Sequence, residues 1–174
     1  IGSDRRNEAM GISNVEVIKV NNNINVNAGY EKILVEQHNF EDDQQHGFTC
    51  GGAPTSCGTL SKICGGYKRR GKDEFISKTF SVIPSSTYVI ELDIIAVDSW
   101  DSNEYPYLEL NGERVWIGSL HPNPAVTPGA ALPRGNGNQC GISTQDRRWK
   151  YIAEKVFIPP GAATLNFLVG STIN

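Results

Sequence analysis

The sequence predicts an all-β fold, an antiparallel β-sandwich of the jelly-roll type, from three observations. Short segments with apolar residues at every second position recur along the 174-residue chain. Gly, Pro and Asn separate these segments, as is typical of turns between antiparallel strands. Apolar residues spaced for an amphipathic helix are almost absent. The chain is also long enough to bury a sizeable core.

The first third of the chain predicts short strands. Residues 15–20 carry three valines, residues 24–27 alternate between apolar and polar side chains, and residues 33–35 form a short apolar run. We therefore divide the chain into a first strand within residues 1–20, a connecting segment with short strands in residues 21–38, and a sandwich body in residues 39–174.

A long loop with three cysteines is predicted for residues 39–72. The four cysteines of the chain are Cys50, Cys57, Cys64 and Cys140. Their even number fits two disulfides, with three possible pairings, whereas the spacings fit a zinc site poorly. We predict that all four are oxidised and that at least one bond joins the 50–64 cluster to Cys140. Oxidised cysteines favour an extracellular or cell-surface location.

The middle and the end of the chain contain the clearest strand signals. Residues 88–97 alternate with Tyr88, Ile90, Leu92, Ile94 and Ala96 on one face and two carboxylates on the other. Asn-Gly at 111–112 predicts a tight hairpin between two strand-like runs. Strands are also expected at 75–82, 149–158 and 165–169. The basic pair at 147–148 is interpreted as exposed loop charge.

Composition and motifs exclude several classes of function. A net charge of −3 argues against a nucleic-acid partner, and no apolar run is long enough to insert into a membrane. No phosphate loop, dinucleotide motif or zinc-protease motif is present. Glu91 and Asp93 would form a glycosidase pair only if a sugar cleft held both, and side chains so placed more often face solvent. We predict that the protein is not an enzyme.

Three carboxylates follow the clearest strand within seven residues. Asp98, Asp101 and Glu104 lie on a turn rich in short polar side chains. Calcium takes six to eight oxygen ligands in a flexible cage, so these side chains, together with Glu41 from the first long loop, are the predicted metal ligands. The alternative is a solvated turn in which aspartates cap backbone amides.

Several segments resemble a secreted β-sandwich family of protist surface proteins and some bacterial proteins. The similar segments include the Asp-Ser-Trp-Asp run at 98–101, Asn111-Gly112 before Val115-Trp116, Asn39-Phe40-Glu41, and the Gly-Gly-Tyr run at 65–67. The two ends of the chain, residues 164–174 and 8–17, resemble two consecutive strands that close the family's domain. Met10 stands where the family has a tryptophan.

The order of those two end segments carries an implication about assembly. The resemblance implies that the strand with Val15, Val17 and Val20 pairs with the strand that contains Leu165 and Phe167. This pairing is either a fold-back within one chain or the donation of a strand to a neighbouring copy. Strand donation would complete the sandwich of each unit and build an open head-to-tail polymer or tandem array of copies of the chain.

Two functions from different classes remain in view. The first is a structural subunit of an extracellular filament or surface coat, assembled by β-strand complementation. The alternative is a calcium-dependent, lectin-like module that binds glycans. Trp100 and Trp116 are candidate stacking platforms for sugar rings, although tryptophans in or beside strands more often belong to the core.

Overall fold

The computed structural model describes residues 8–21, 31–60, 62–71, 74–98, 100, 103–118, 140 and 147–173. The predicted strand at 24–27 lies outside these residues. No helix in the described part of the chain could cross a lipid bilayer. The strands, in chain order, are β1 (Ala9–Asn21), β2 (Glu31–His38), β3 (Thr55–Ser56), β4 (Lys62–Gly65), β5 (Phe75–Ser81), β6 (Thr87–Val97), β7 (Pro106–Leu110), β8 (Glu113–Ile117), β9 (Arg147–Phe157) and β10 (Thr164–Ser171).

The larger sheet contains six strands around β1. Its order is β3-β4-β1-β6-β9, and β2 is an additional partner of β1. Because β6 occupies one side of β1 along most of its length, β4 and β2 share the other side. β4 pairs at Gly11 and Ile12, and β2 pairs from Val15 to Asn21. β1 is therefore an interior strand of this sheet.

The smaller sheet contains four strands in the order β5-β10-β7-β8. One large cluster of buried side chains fills the space between the two sheets, with Ile12 and Leu92 from the larger sheet and Phe80, Leu108 and Phe167 from the smaller. All strand pairings are antiparallel. The predicted all-β antiparallel sandwich is confirmed.

The two most specific local predictions agree with the structure. All five residues expected on the inner face of β6, Tyr88 to Ala96 in alternation, are at most 1% exposed. Asn111 and Gly112 both have positive φ, 54° and 80°, and connect β7 to β8 as the hairpin turn requires.

Two disulfides fix the first long loop. Cys50 is bonded to Cys64, and Cys57 is bonded to Cys140, which confirms the predicted link from the 50–64 cluster to Cys140. Cys57 belongs to a second, smaller cluster of buried side chains with Ile95 and Val97. Ile95 and Val97 alternate along β6 with the inner-face residues, so they lie on the outer face of the larger sheet. The loop that contains Cys57 therefore covers part of this outer face.

The predicted pairing of the two chain ends is wrong. Val15, Val17 and Val20 lie on β1, which pairs with β6 and β2, whereas Leu165 and Phe167 lie on β10 between β5 and β7. Both sides of each strand are thus occupied within the chain. The ends do approach one another, because Val15, Val17, Leu165 and Phe167 share one core. They face each other across the sandwich instead of lying edge to edge.

Candidate functional site

Asp93 lies on the outer face of β6, between irregularities in both neighbouring strands. The register of β1 against β6 shifts between Ser13 and Glu16, and the register of β6 against β9 shifts beside Asp93. Asn14 and Tyr151, one on each neighbouring strand, have positive φ values of 50° and 56°. Such values are uncommon for residues other than glycine, and bulges occur preferentially beside functional sites.

The irregular backbone brings three hydrogen-bond donors to one carboxylate. Asn14 Nδ2 donates to Asp93 Oδ2 at 2.8 Å, and the backbone N–H of Tyr151 donates to Asp93 Oδ1 at 2.9 Å. The Arg148 guanidinium forms an ion pair with the same carboxylate. Asp93 is only 2% exposed, and the pairing offsets the cost of burying its charge. Arg148 is therefore a largely covered partner on β9, 13% exposed, and not the exposed loop charge predicted from the sequence.

A polar pocket of about 290 Å³ opens beside this cluster. Its floor comes from the strands of the larger sheet and its wall from the long loop. The lining residues are Ser13, Asn14, Asn39, Glu41, Leu60, Lys62 and Arg148. Ser13 is 3% exposed, and its Oγ, like the Nε of Arg148, is buried without a hydrogen-bond partner within the described residues. The pocket therefore contains donors that its own walls do not satisfy.

A larger groove of about 710 Å³ crosses the outer face of the smaller sheet. Its described lining combines hydroxyl groups, an amide, a carboxylate, a lysine, and one exposed and one buried phenylalanine: Gly47, Thr49, Phe75, Ser77, Lys78, Thr79, Glu109, Gly112, Asn166, Phe167 and Leu168. Phe75 is 49% exposed. Glu109 is paired with Arg114 at 3.1 Å, and the Arg114 guanidinium lies 3.7 Å from the centre of the Tyr107 ring.

Hydrogen bonds between strands order the floor of this groove. Thr79 Oγ1 donates to Asn166 Oδ1 at 3.0 Å, and the Asn166 backbone N–H donates to Asn111 Oδ1 at 2.9 Å. The hydroxyl oxygens of Thr49 and Ser77 lie 3.1 Å apart. These contacts hold side-chain hydroxyl and amide groups on rigid strands, where a ligand can meet them with little loss of conformational freedom.

A cluster of ionisable groups borders the groove at Lys78. Lys78 Nζ contacts Glu36 Oε2 at 2.7 Å and His38 Nε2 at 3.0 Å, and His38 Nε2 lies 2.8 Å from Glu36 Oε2. Burial lowers the pKa of His38 below its ordinary value, and the nearby Lys78 charge acts in the same direction. Burial opposes ionisation of Glu36, but hydrogen bonds from Lys78 and His38 outweigh it and lower the pKa of this carboxyl.

The structure places the described calcium candidates on two different loops. Asp98 and Glu104 are buried, at 3% and 2% exposure, on either side of Trp100 in the β6–β7 loop, and each has an interaction partner. Glu41 lies elsewhere, in the wall of the polar pocket, where its Oε1 accepts a hydrogen bond from the Lys62 backbone N–H at 3.1 Å. Asp101 lies outside the described residues. Among those described, no three His, Cys, Asp or Glu side chains form a group that could hold a metal ion.

Both candidate tryptophans belong to the core. Trp100 is 8% exposed, and its indole N–H donates to the Ala9 carbonyl oxygen at 3.1 Å. Trp116 is 6% exposed and packs edge-on against Trp149, with 6.2 Å between ring centroids. Neither ring offers a face to a sugar in this structure. The exposed aromatic ring in the groove is Phe75, which the sequence did not single out.

No protein-family model, curated protein or solved structure matches this chain. The resemblance to secreted sandwich proteins therefore stays a prediction. The chemistry of the pocket and the groove is therefore the basis for a proposed function.

Proposed function

We propose that this chain is an extracellular carbohydrate-binding module whose ligand lies in the groove of the smaller sheet. The observation that carries the proposal is the groove's lining, in which an exposed Phe75 ring lies among hydroxyl, amide and carboxylate groups. Sugars present apolar C–H faces and a rim of hydroxyls. An aromatic ring and a set of fixed polar groups are complementary to these two features.

Size and position also support this ligand class. A groove of about 710 Å³ falls within the range usual for small-molecule sites and is large enough for several sugar rings. It lies across strands β5, β10 and β7, so its polar groups keep a fixed spacing. The two disulfides support a location outside the cell.

We propose that the protein binds its ligand without catalysing a reaction on it. The carboxylate of Asp93 is buried and accepts hydrogen bonds from Asn14, Arg148 and the Tyr151 backbone. Both oxygens of this carboxylate are engaged within the chain and the residue is almost fully buried, so it is not available to contact a substrate.

A glycan array probed with the intact protein tests the proposed function. We expect retention on a subset of oligosaccharides and displacement by the same oligosaccharide in solution. Retention should persist at protein concentrations where the chain is monomeric, because the groove lies within one chain. Uniform absence of retention across neutral and charged glycans would contradict the proposal.

We propose calcium as a structural ion of the β6–β7 loop. The supporting observation is that two carboxylates on this short loop, Asp98 and Glu104, are both almost fully buried. Calcium prefers carboxylate oxygens and compensates buried negative charge. Asp101 is the third proposed ligand. Glu41 is no longer included, because it lies in the wall of the polar pocket.

A second candidate function, a structural subunit of a filament or surface coat, has its own supporting observation. β2 pairs with β1 on one side, and within the described residues no strand pairs with its other side. Ile33, Leu34 and Val35 on this strand are 41%, 53% and 44% exposed. An apolar edge strand is a template for another strand, so we propose that copies of the chain associate at β2.

A further inference from the structure

We propose that the polar pocket beside Asp93 is a second binding site, for a single neutral sugar ring or a polyol of similar size. The pocket lies on the outer face of the larger sheet, whereas the groove lies on the outer face of the smaller sheet. The pocket and the groove share no lining residue among those described, so the pocket can bind its ligand whatever the groove binds. The first supporting observation is Ser13, a buried residue of the pocket lining whose hydroxyl has no hydrogen-bond partner within the described residues.

The lining contains both hydrogen-bond donors and hydrogen-bond acceptors, so a complementary ligand must offer both acceptors and donors. Ser13 Oγ and Arg148 Nε are buried without partners in the described part of the chain, and a buried donor without an acceptor is costly. Both atoms are covered in this structure, so a ligand hydroxyl can accept from either group once a small shift of the covering side chains exposes it. Glu41 and the Asn14 side-chain oxygen can in turn accept from ligand hydroxyls. A molecule with several hydroxyls on one small ring satisfies both requirements.

The charges around the pocket disfavour an anionic ligand, and its unpartnered donors disfavour a cationic one. The Arg148 charge is paired with Asp93, and Lys62 Nζ lies 2.6 Å from Asp43 Oδ2. Glu41 interacts instead with a backbone amide, so the wall keeps a net negative charge. An anionic ligand would face Glu41, and an ammonium ligand would bring donors where Ser13 Oγ and Arg148 Nε need an acceptor. A volume of about 290 Å³ limits the ligand to about one ring.

The structure of the site gives a direct test by nuclear magnetic resonance with the full, ¹⁵N-labelled chain. The probes are glucose, galactose, mannose, N-acetylglucosamine and myo-inositol, each added to millimolar concentration, with glucuronate as the anionic comparison. We expect at least one neutral probe to shift the backbone amides of Asn14, Glu41 and Lys62 with a dissociation constant of about 1 mM. Thr79 and Asn166 report on the groove and should respond independently.

Two variants test the lining of the pocket. Asn39→Ala should weaken the neutral probe about fivefold, because it removes a lining amide and the acceptor of the Glu41 backbone N–H that helps to hold Glu41 in the wall. Glu41→Gln keeps the side-chain shape and the acceptor for the Lys62 amide but removes the charge, so glucuronate should now bind within about threefold of the neutral probe. Glu113→Gln, an exposed carboxylate on β8, is the control and should change neither affinity.

The possible outcomes decide the proposal. Shifts at the pocket amides that weaken in Asn39→Ala, together with glucuronate binding in Glu41→Gln, support it. An absence of shifts at these amides with every neutral probe overturns it. It is equally overturned if shifts occur only at groove amides, or if Glu41→Gln folds normally and still excludes glucuronate.

Discussion

The ammonium group of Lys78 contacts the carboxylate of Glu36 at 2.7 Å and joins the two sheets at one open side of the sandwich. Lys78 lies on β5 of the smaller sheet and Glu36 on β2 of the larger. The ammonium also lies 5.0 Å and 4.7 Å from the ring centres of Phe48 and Phe80. It is thus held by a carboxylate, by His38 and by two aromatic faces.

This arrangement predicts that acid weakens the fold through His38. Burial and the charge of the Lys78 ammonium, whose Nζ lies 3.0 Å from His38 Nε2, lower the pKa of His38 from 6.5. A group whose pKa is lower in the folded state contributes stability above its unfolded pKa. That contribution is lost as the pH falls through the folded value. The free energy of unfolding should therefore decrease from about pH 7.5 to about pH 5.

Urea unfolding across that pH range measures the effect. Glu36, Lys78 and His46 all face His38, and the carboxyl of Glu36 titrates in a lower window because its pKa lies below 4.5. In His38→Gln, the decrease between about pH 7.5 and 5 should become smaller. An unchanged pH dependence in this variant would assign the acid sensitivity to other groups.

Removing the charge of Asp93 should cost much more stability than removing that of its neighbour Glu91. Asp93→Asn leaves the largely covered Arg148 guanidinium beside a neutral side chain, and breaking such a pair costs about 3 kcal/mol. Glu91 is on the same face of β6, but its contact with Lys32 is long, at 3.8 Å, and solvent-exposed. Glu91→Gln should change stability by less than about 0.5 kcal/mol. Equal effects in urea unfolding would contradict the described role of Asp93.

The fold could be predicted because its signals are local. Alternation over residues 88–97 and the Asn111-Gly112 turn each depend on the conformation of a few adjacent residues, and the structure agrees with both. A bond from the 50–64 cluster to Cys140 could be predicted, because no other cysteine lies near Cys140 in sequence. Which of the three cysteines forms it, Cys57, could not be predicted. These features do not require knowledge of which strands are neighbours.

Strand order and the sites could not be predicted, because they depend on long-range pairing. The predicted pairing of β1 with β10 depends on a resemblance alone, whereas in the structure β1 pairs with β6. Arg148 meets Asp93 only because β9 lies next to β6 and contains a bulge near Tyr151. Phe75 gave no sequence signal, since a phenylalanine that begins a strand is usually buried.

Calcium removal should lower the melting temperature if the β6–β7 loop holds the ion. A ligand present at a hundredfold excess over its dissociation constant stabilises the folded state by about 3 kcal/mol. A chelator should remove that stabilisation from the intact protein. The double variant Asp98→Asn, Asp101→Asn should show no such response, whereas Glu113→Gln should respond like the intact protein. Identical melting of the intact protein with and without chelator would contradict the proposal.

Association at β2 should be sensitive to a charge at its centre. Leu34 is 53% exposed on this strand, so Leu34→Lys should leave the fold intact and prevent concentration-dependent association. Ile83→Lys is a matched control, because Ile83 is 55% exposed on the β5–β6 loop and is not part of β2. Analytical ultracentrifugation over a range of concentrations distinguishes the variants. An intact protein that remains monomeric at the highest concentrations would contradict the structural role.

Calorimetric titration of Phe75→Ala with an oligosaccharide retained on the array tests the carbohydrate-binding proposal most directly. Phe75 lines the groove, and loss of its ring should weaken binding at least about tenfold. Phe157→Ala is the comparison, because Phe157 is 58% exposed on β9 of the other sheet and should leave the affinity unchanged. Affinity lost in Phe75→Ala alone is the result we predict. Unchanged affinity in Phe75→Ala, or an equal loss in Phe157→Ala, would contradict a site in the groove.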